Sequence, residues 1–150
     1  EWLFFFFFSY ASIFLHFAFQ YFYQTVLLSK KAVKTISFSI IIILIPTVLL
    51  HYNKWYTAVN YSFLILILAI AYFKFTAILQ LFFITFLLIL IPFSIVNGIL
   101  TGSFIDEPVV MYNNLENLGI RLGTIPIEDI GYAFSMLLLS LMLIEKFEKK

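Results

Sequence analysis

The sequence predicts an all-α, polytopic transmembrane helical bundle with about five spans in 150 residues. Three observations carry that expectation. The chain is 63% hydrophobic and 11% charged, with mean hydropathy +1.06, and a soluble chain of this length needs far more polar surface to cover itself. Its apolar residues fall in blocks long enough to cross a bilayer, for which about 20 residues suffice. The basic residues between those blocks are strongly biased to alternate gaps, as in a chain threaded through a membrane.

The first block covers residues 2–23 and opens directly behind Glu1, with no charged leader and no cleavage site, so it does not read as a signal peptide. The run Phe4 to Phe8 covers every face of a helix, so some of its rings must meet lipid. His16, among Phe14, Phe17 and Phe19, reads more readily as a bundle-interior histidine than as a proton relay. The second block, 36–50, is short and borrows Lys34, Thr35 and His51 at its ends. His51, Asn53, Lys54, Trp55 and Tyr56 follow as an interfacial belt. Two histidines on opposite sides of a span form no metal constellation.

The third and fourth blocks, 58–73 and 75–100, are one apolar run interrupted only by Lys74. That run is about twice the length of one span, so it must turn, and the lone lysine is the natural turning point. A tight turn lacking Gly and Pro is unusual. The fifth block, 127–144, is entered through Pro126-Ile127-Glu128-Asp129.

Alternating sides at each span puts Lys30, Lys31, Lys34, Lys74, Lys146, Lys149 and Lys150 together, against Lys54 and Arg121. The positive-inside rule makes the lysine-rich side, with the C-terminus, cytoplasmic. Glu1, Asp106, Glu107, Glu116, Glu128 and Asp129 gather on the other side. Four crossings separate Glu1 from Glu128, so both acidic helix starts share one face provided that Lys74 is a true turn. The net charge of +1, without a basic patch, speaks against a nucleic-acid partner. Without cysteine there are no disulfides, thiolate metal sites or cysteine nucleophiles.

Two adjacent carboxylates at the mouth of a membrane helix are expensive to hold there, which marks them as functional candidates. Glu128 shares a helix face with Tyr132 and Ser135, while Asp129 points about 100° away. The structural alternative is that both acids complement the dipole of a helix that Pro126 starts. Arg121 either pairs with one of the acids or anchors the interface. Asn97, beside Gly98 near the end of a span, is costly to bury unpaired; it either hydrogen-bonds a carboxyl or makes an interhelical contact. Asp106 and Glu107, in a Pro-containing loop, read as solvated.

The segment Gly119-Ile120-Arg121-Leu122-Gly123-Thr124-Ile125-Pro126-Ile127-Glu128-Asp129 resembles the signature of the integral-membrane carotenoid (lycopene) cyclase domain, a family of flavin-free ring-forming enzymes. Ile91-Pro92-Phe93-Ser94-Ile95-Val96-Asn97-Gly98 resembles the family's penultimate span, and Asp106-Glu107-Pro108-Val109-Val110-Met111-Tyr112-Asn113-Asn114 its connecting loop. Fused bacterial members carry two copies of a three-helix unit, each ending in a helix entered through a Pro-X-acid-acid motif. Glu1-Trp2-Leu3-Phe4-Phe5 resembles the second acid of the first copy and the helix behind it, so Glu1 corresponds to Asp129. The resemblance thus implies a fragment missing two upstream spans: residues 1–23 end the first repeat, 36–50 link the repeats, and 58–144 form the second.

What the resemblance implies is cofactor-independent, acid-catalysed cyclisation of lycopene ends to β-ionone rings, an intramolecular lyase reaction of the isomerase class. The partners implied are a lipophilic carotenoid, the lipid bilayer of the bacterial cytoplasmic membrane, and an oligomer with itself or with other carotenoid enzymes. Such chemistry needs a proton donor, a dry cavity and aromatic faces for a carbocation. Glu128 is then the first choice for the donor, with Asp129 as orienter or proton-sharing partner and Glu1 as the matching acid of the first copy. Asn97, Arg121 and Tyr132 support them, and Phe4, Phe5 and Phe8, on the face of Glu1, line a polyene tunnel. The rivals are a small proton-coupled transporter, with Pro46 and Pro92 breaking its spans, and a non-catalytic half of a two-subunit cyclase. Polar stripes along several helices would favour the transporter; here the polar groups gather near one interface.

Overall fold

The computed structural model describes residues 2–103 and 105–148, apart from the side chains of residues 2, 4 and 5. Among the described residues are α1 (Trp2–Phe22), α2 (Lys30–Leu50), α3 (Trp55–Lys74), α4 (Thr76–Leu100), a hairpin of β1 (Arg121–Leu122) and β2 (Ile125–Pro126), and α5 (Ile127–Glu148). Helices α2 to α5 are each long and apolar enough to cross a membrane, and α1 is apolar from Phe6 to Phe22. The chain is an all-α polytopic membrane bundle.

Helix α2 begins at Lys30, six residues before its apolar block. Ser29 is extended there, and its hydroxyl accepts the Ala32 N–H at 3.1 Å. That cap satisfies one of the orphan donors of the first turn, so the three lysines join the helix. Their long stems let the ammonium groups reach the interface. The expected boundary followed hydropathy, which does not register a cap.

The turn at Lys74 is present. Helix α3 ends on Lys74, α4 starts at Thr76, and Phe75 alone leaves helical geometry, at φ −134° and ψ 37°. Because φ stays negative, no glycine is required. The Phe75 N–H still donates to the Ala71 carbonyl, and the Thr76 hydroxyl to the Tyr72 carbonyl, so the interrupted ladder keeps its partners.

Around the core, Phe134 of α5 meets Phe82 and Phe86 of α4 edge-to-face, each with ring centroids 4.9 Å apart. Against α3, α5 presents Gly131. A Cβ there would come within 3.1 Å of both Asn60 Oδ1 and Tyr61 Cε1. Small residues permit this close approach, which supplies much of helix association where lipid is as apolar as the protein.

Helix α1 packs on α4 and α5: the Ser9 hydroxyl donates to Met136 Sδ, and His16 Nδ1 lies 2.7 Å from Thr85 Oγ1. His16 is thus a buried histidine with a bundle partner. At one end of the bundle, the α1–α2 connection is tied to α4 by Leu28 and Gln80, whose N–H groups each reach the other's backbone carbonyl. At the other end, the starts of α3 and α5 meet the end of α4, and there the acids gather.

Candidate active site

The described residues 101–103 and 105–126 fold back over that end of the bundle. Their last part is a hairpin closed by Gly123 and Thr124, in the register Arg121 with Pro126 and Leu122 with Ile125. Only Gly123 of the two has positive φ, at 64°, which suits a glycine-first, two-residue hairpin turn. The Thr124 hydroxyl is hydrogen-bonded to those of Thr101 and Ser103, each at 2.6 Å, locking the hairpin to the end of α4. Pro126 then stands just before α5, with Glu128 and Asp129 in its first turn.

Asp129 collects three donors from three parts of the chain. The Tyr56 hydroxyl of α3 donates to Oδ1, while Asn97 Nδ2 of α4 and the Tyr112 hydroxyl of the loop donate to Oδ2 at 2.8 and 2.6 Å. The carboxyl forms part of the wall of a cavity of about 310 Å³, otherwise lined mainly by apolar and aromatic groups such as Phe8, Phe93, Leu100, Tyr132 and Met136. On α5 the cavity face is Asp129, Tyr132, Ala133 and Met136, the spacing of one helix stripe.

Glu128 points elsewhere. It is fully buried, and its Oε1 accepts both the Thr57 hydroxyl and the Leu118 N–H at 2.7 Å. Its backbone carbonyl accepts Asn60 Nδ2 at 3.0 Å, and Oε2 has no hydrogen-bond partner. Glu128 therefore joins α5 to α3 and to the incoming loop, and is not on the wall of the Asp129 cavity. The expected stripe of Glu128, Tyr132 and Ser135 does not form one surface. Tyr132 lines the cavity, whereas the Ser135 hydroxyl donates back to the carbonyls of Gly131 and Tyr132.

Arg121 pairs with neither acid. It donates to the Thr124 carbonyl and to Asn114 Oδ1, both at 2.7 Å, and its guanidinium lies over the Tyr112 ring at 5.9 Å. It thereby holds the loop residue that touches Asp129. Burial raises the Tyr112 phenol above its ordinary value and its hydrogen bond to Asp129 pushes it further up, while a hydrogen bond with Tyr56 and the charge of Arg121 partly oppose them. The phenol therefore stays neutral and able to donate at physiological pH.

Glu116 caps α3: its carboxylate accepts the Trp55 N–H, and its carbonyl the N–H groups of Tyr56 and Thr57. An acid at a helix N-terminus is favourable by charge as well as by hydrogen bonding, and this contact aims Tyr56 and Thr57 at the two acids. Asp106 and Glu107 are exposed.

Of the residues singled out from sequence, Asp129, Asn97, Tyr132 and Phe8 converge on the cavity, with Glu128 behind it and Arg121 beside it. Glu1 and the side chains of Phe4 and Phe5 lie outside the described residues. Sequence reasoning missed Tyr56, Thr57, Asn60 and Tyr112 as site residues. Tyr56 had the signature of an interfacial aromatic, and nothing local distinguishes it from Trp55, which is exposed. Tyr112 carried one usable signal, its place in a loop that resembles a family pattern. Among the described residues, no group of three His, Asp or Glu side chains converges as a metal site.

No curated protein and no solved structure matches the chain. The family model for lycopene cyclase matches residues 53–147, a stretch that contains Asp129 and all three of its hydrogen-bond donors. The chain belongs to the lycopene cyclase family.

Proposed function

We propose that the chain closes β-type rings on the ends of lycopene by acid catalysis without net redox change, with Asp129 as the proton donor. The observation that supports this most is the convergence of Tyr56, Tyr112 and Asn97 on a carboxyl in the wall of a largely apolar cavity.

The reaction begins with a proton passing from Asp129 to the terminal double bond of the polyene, leaving a tertiary cation. The neighbouring double bond attacks it, forming the ring carbon–carbon bond and moving the positive charge to a ring carbon. A proton lost from an adjacent carbon restores a double bond, so the product is an isomer of the substrate.

An alkene is a very weak base, so its protonation needs help where charge develops. Donors fixed on the carboxyl oxygens strengthen as the proton leaves, in the manner of an oxyanion hole. Phe8, Phe93 and Tyr132 line the cavity, and an aromatic face turned to the carbocation contributes roughly 2 kcal/mol or more when desolvated. The apolar wall keeps away the water that would quench it. The same carboxylate is the base on that wall best placed to take the final proton.

In this reading Glu128, the first choice from sequence, is a positioning residue that fixes the start of α5 against α3. The test is chromatography of pigments from lycopene-accumulating bacteria that express the intact gene encoding this chain. Cyclic products that disappear in Asp129→Asn support the proposal. Undiminished cyclic product in Asp129→Asn overturns the role of Asp129, and unchanged lycopene with membrane-inserted wild-type protein overturns the reaction itself.

A further inference from the structure

Beside the acid cavity lies a second one of about 510 Å³, between α1 and α4. Its walls include Phe7, Ala11 and Leu15 of α1 and Ile89, Pro92 and Val96 of α4, and among the described residues Ser12 is the one polar member of its lining. Phe8 belongs to the walls of both cavities, and its ring packs on Phe93 with centroids 5.2 Å apart. The two spaces therefore adjoin, with Phe8 between them.

We infer that the α1–α4 groove is the berth for the long polyene chain behind the reacting end, so that the substrate enters sideways from the bilayer and passes Phe8 to reach Asp129. This inference rests on the carotenoid cyclase reading.

The first argument is size. The acid cavity is at the small end of ligand sites, which run from about 300 to 1,000 Å³. It suits one folded chain end, and the remainder of a long isoprenoid must leave it along some path. Among the described residues, the groove across Phe8 offers a path without polar side chains apart from Ser12, which is itself buried.

The second argument concerns what would fill such a groove. Between an apolar wall and lipid there is no hydrophobic driving force, so occupancy is decided by packing and by lost conformational freedom. A saturated acyl chain loses many torsions on being immobilised, whereas a conjugated polyene is already straight and stiff. Phe7 and Phe8 present aromatic surfaces to that conjugated system. A rigid polyene is thus favoured over the lipid tails that compete with it, and over a protein segment, which would need side chains shaped to the groove.

Ala11 gives the test, because it lines the groove and not the acid cavity. Ala11→Trp would fill the berth, and Tyr10→Trp, at an exposed neighbour lining neither cavity, is the control. Cyclic product in lycopene-accumulating cells, lycopene retained by the purified full chain, and native mass in detergent are compared with wild type.

The expected result is a loss of product and of bound lycopene on the order of tenfold or more in Ala11→Trp, as misplacement of a substrate commonly gives, with native mass unchanged and Tyr10→Trp like wild type. Wild-type turnover and retention in Ala11→Trp overturn the inference. A loss accompanied by altered native mass also overturns it, because the groove then seats protein. If wild type makes no cyclic product, the catalytic reading fails separately. Lycopene retention then decides the berth: retention lost in Ala11→Trp supports it, and equal retention overturns it.

Discussion

Asn97 Nδ2 donates to Asp129 Oδ2 at 2.8 Å, joining the end of α4 to the start of α5 between residues 32 positions apart in the chain. Both side chains are buried, so neither can exchange its partner for water without disturbing the bundle end. Asn97→Leu keeps similar bulk and removes the donor. We expect ring formation to fall by roughly 100-fold or more, the usual loss for one donor at a developing oxyanion, with membrane levels of the protein maintained. Product per unit of immunodetected protein checks this; a loss below threefold would remove Asn97 from the site.

Glu128 and Asp129 are adjacent, yet they should respond oppositely to neutral isosteres. Glu128→Gln retains an acceptor for the Thr57 hydroxyl and the Leu118 N–H, so cyclisation should survive. Glu128→Ala strips both donors of their acceptor and should cost about 1–3 kcal/mol of stability, read as a lower melting temperature in detergent. Glu128→Gln abolishing product while Asp129→Asn spares it would reverse the two roles.

Tyr112 supplies a pH prediction. Burial and Asp129 place its titration above the ordinary phenol value of 10.0, so its proton is present below that pH and lost only as pH rises through the elevated value. Tyr112→Phe should therefore lower the rate by a factor that is constant between about pH 6 and 9. Rates in permeabilised membranes across that window test it, and a ratio that closes toward pH 9 would show the phenol ionising there.

Gly131 tests the packing that brings α3 and α5 together. A methyl group would stand 3.1 Å from Asn60 Oδ1 and from Tyr61 Cε1, so one of them must move. Gly131→Ala should destabilise by about 1–3 kcal/mol, as overpacking does, and lower turnover by displacing Asp129. Thermal unfolding in detergent measures the first effect and pigment yield the second; an unchanged melting temperature would show that the contact relaxes freely.

Much of the architecture was legible in one dimension. Span number and approximate position follow from hydropathy, because the bilayer sets how many apolar residues a helix needs. The turn at Lys74 follows from the same arithmetic, and the acidic start of α5 is visible as a motif. The start of α2 was not legible, because a Ser29 cap extends the helix through lysines that hydropathy treats as loop.

The tertiary structure decided which acid meets the cavity. Successive helix residues differ by about 100° in direction, so Glu128 and Asp129 cannot face the same way, and the packing of Gly131 against Asn60 and Tyr61 sets which one turns toward α1 and α4. It also decided the donors, since Tyr56 lies 73 residues before Asp129 and Tyr112 lies 17 before it. The sequence by itself determined a membrane bundle with an acidic helix mouth, because length and polarity are local properties. Only folding determined the site, because rotation about a helix axis and contacts between distant segments exist only once the helices are packed.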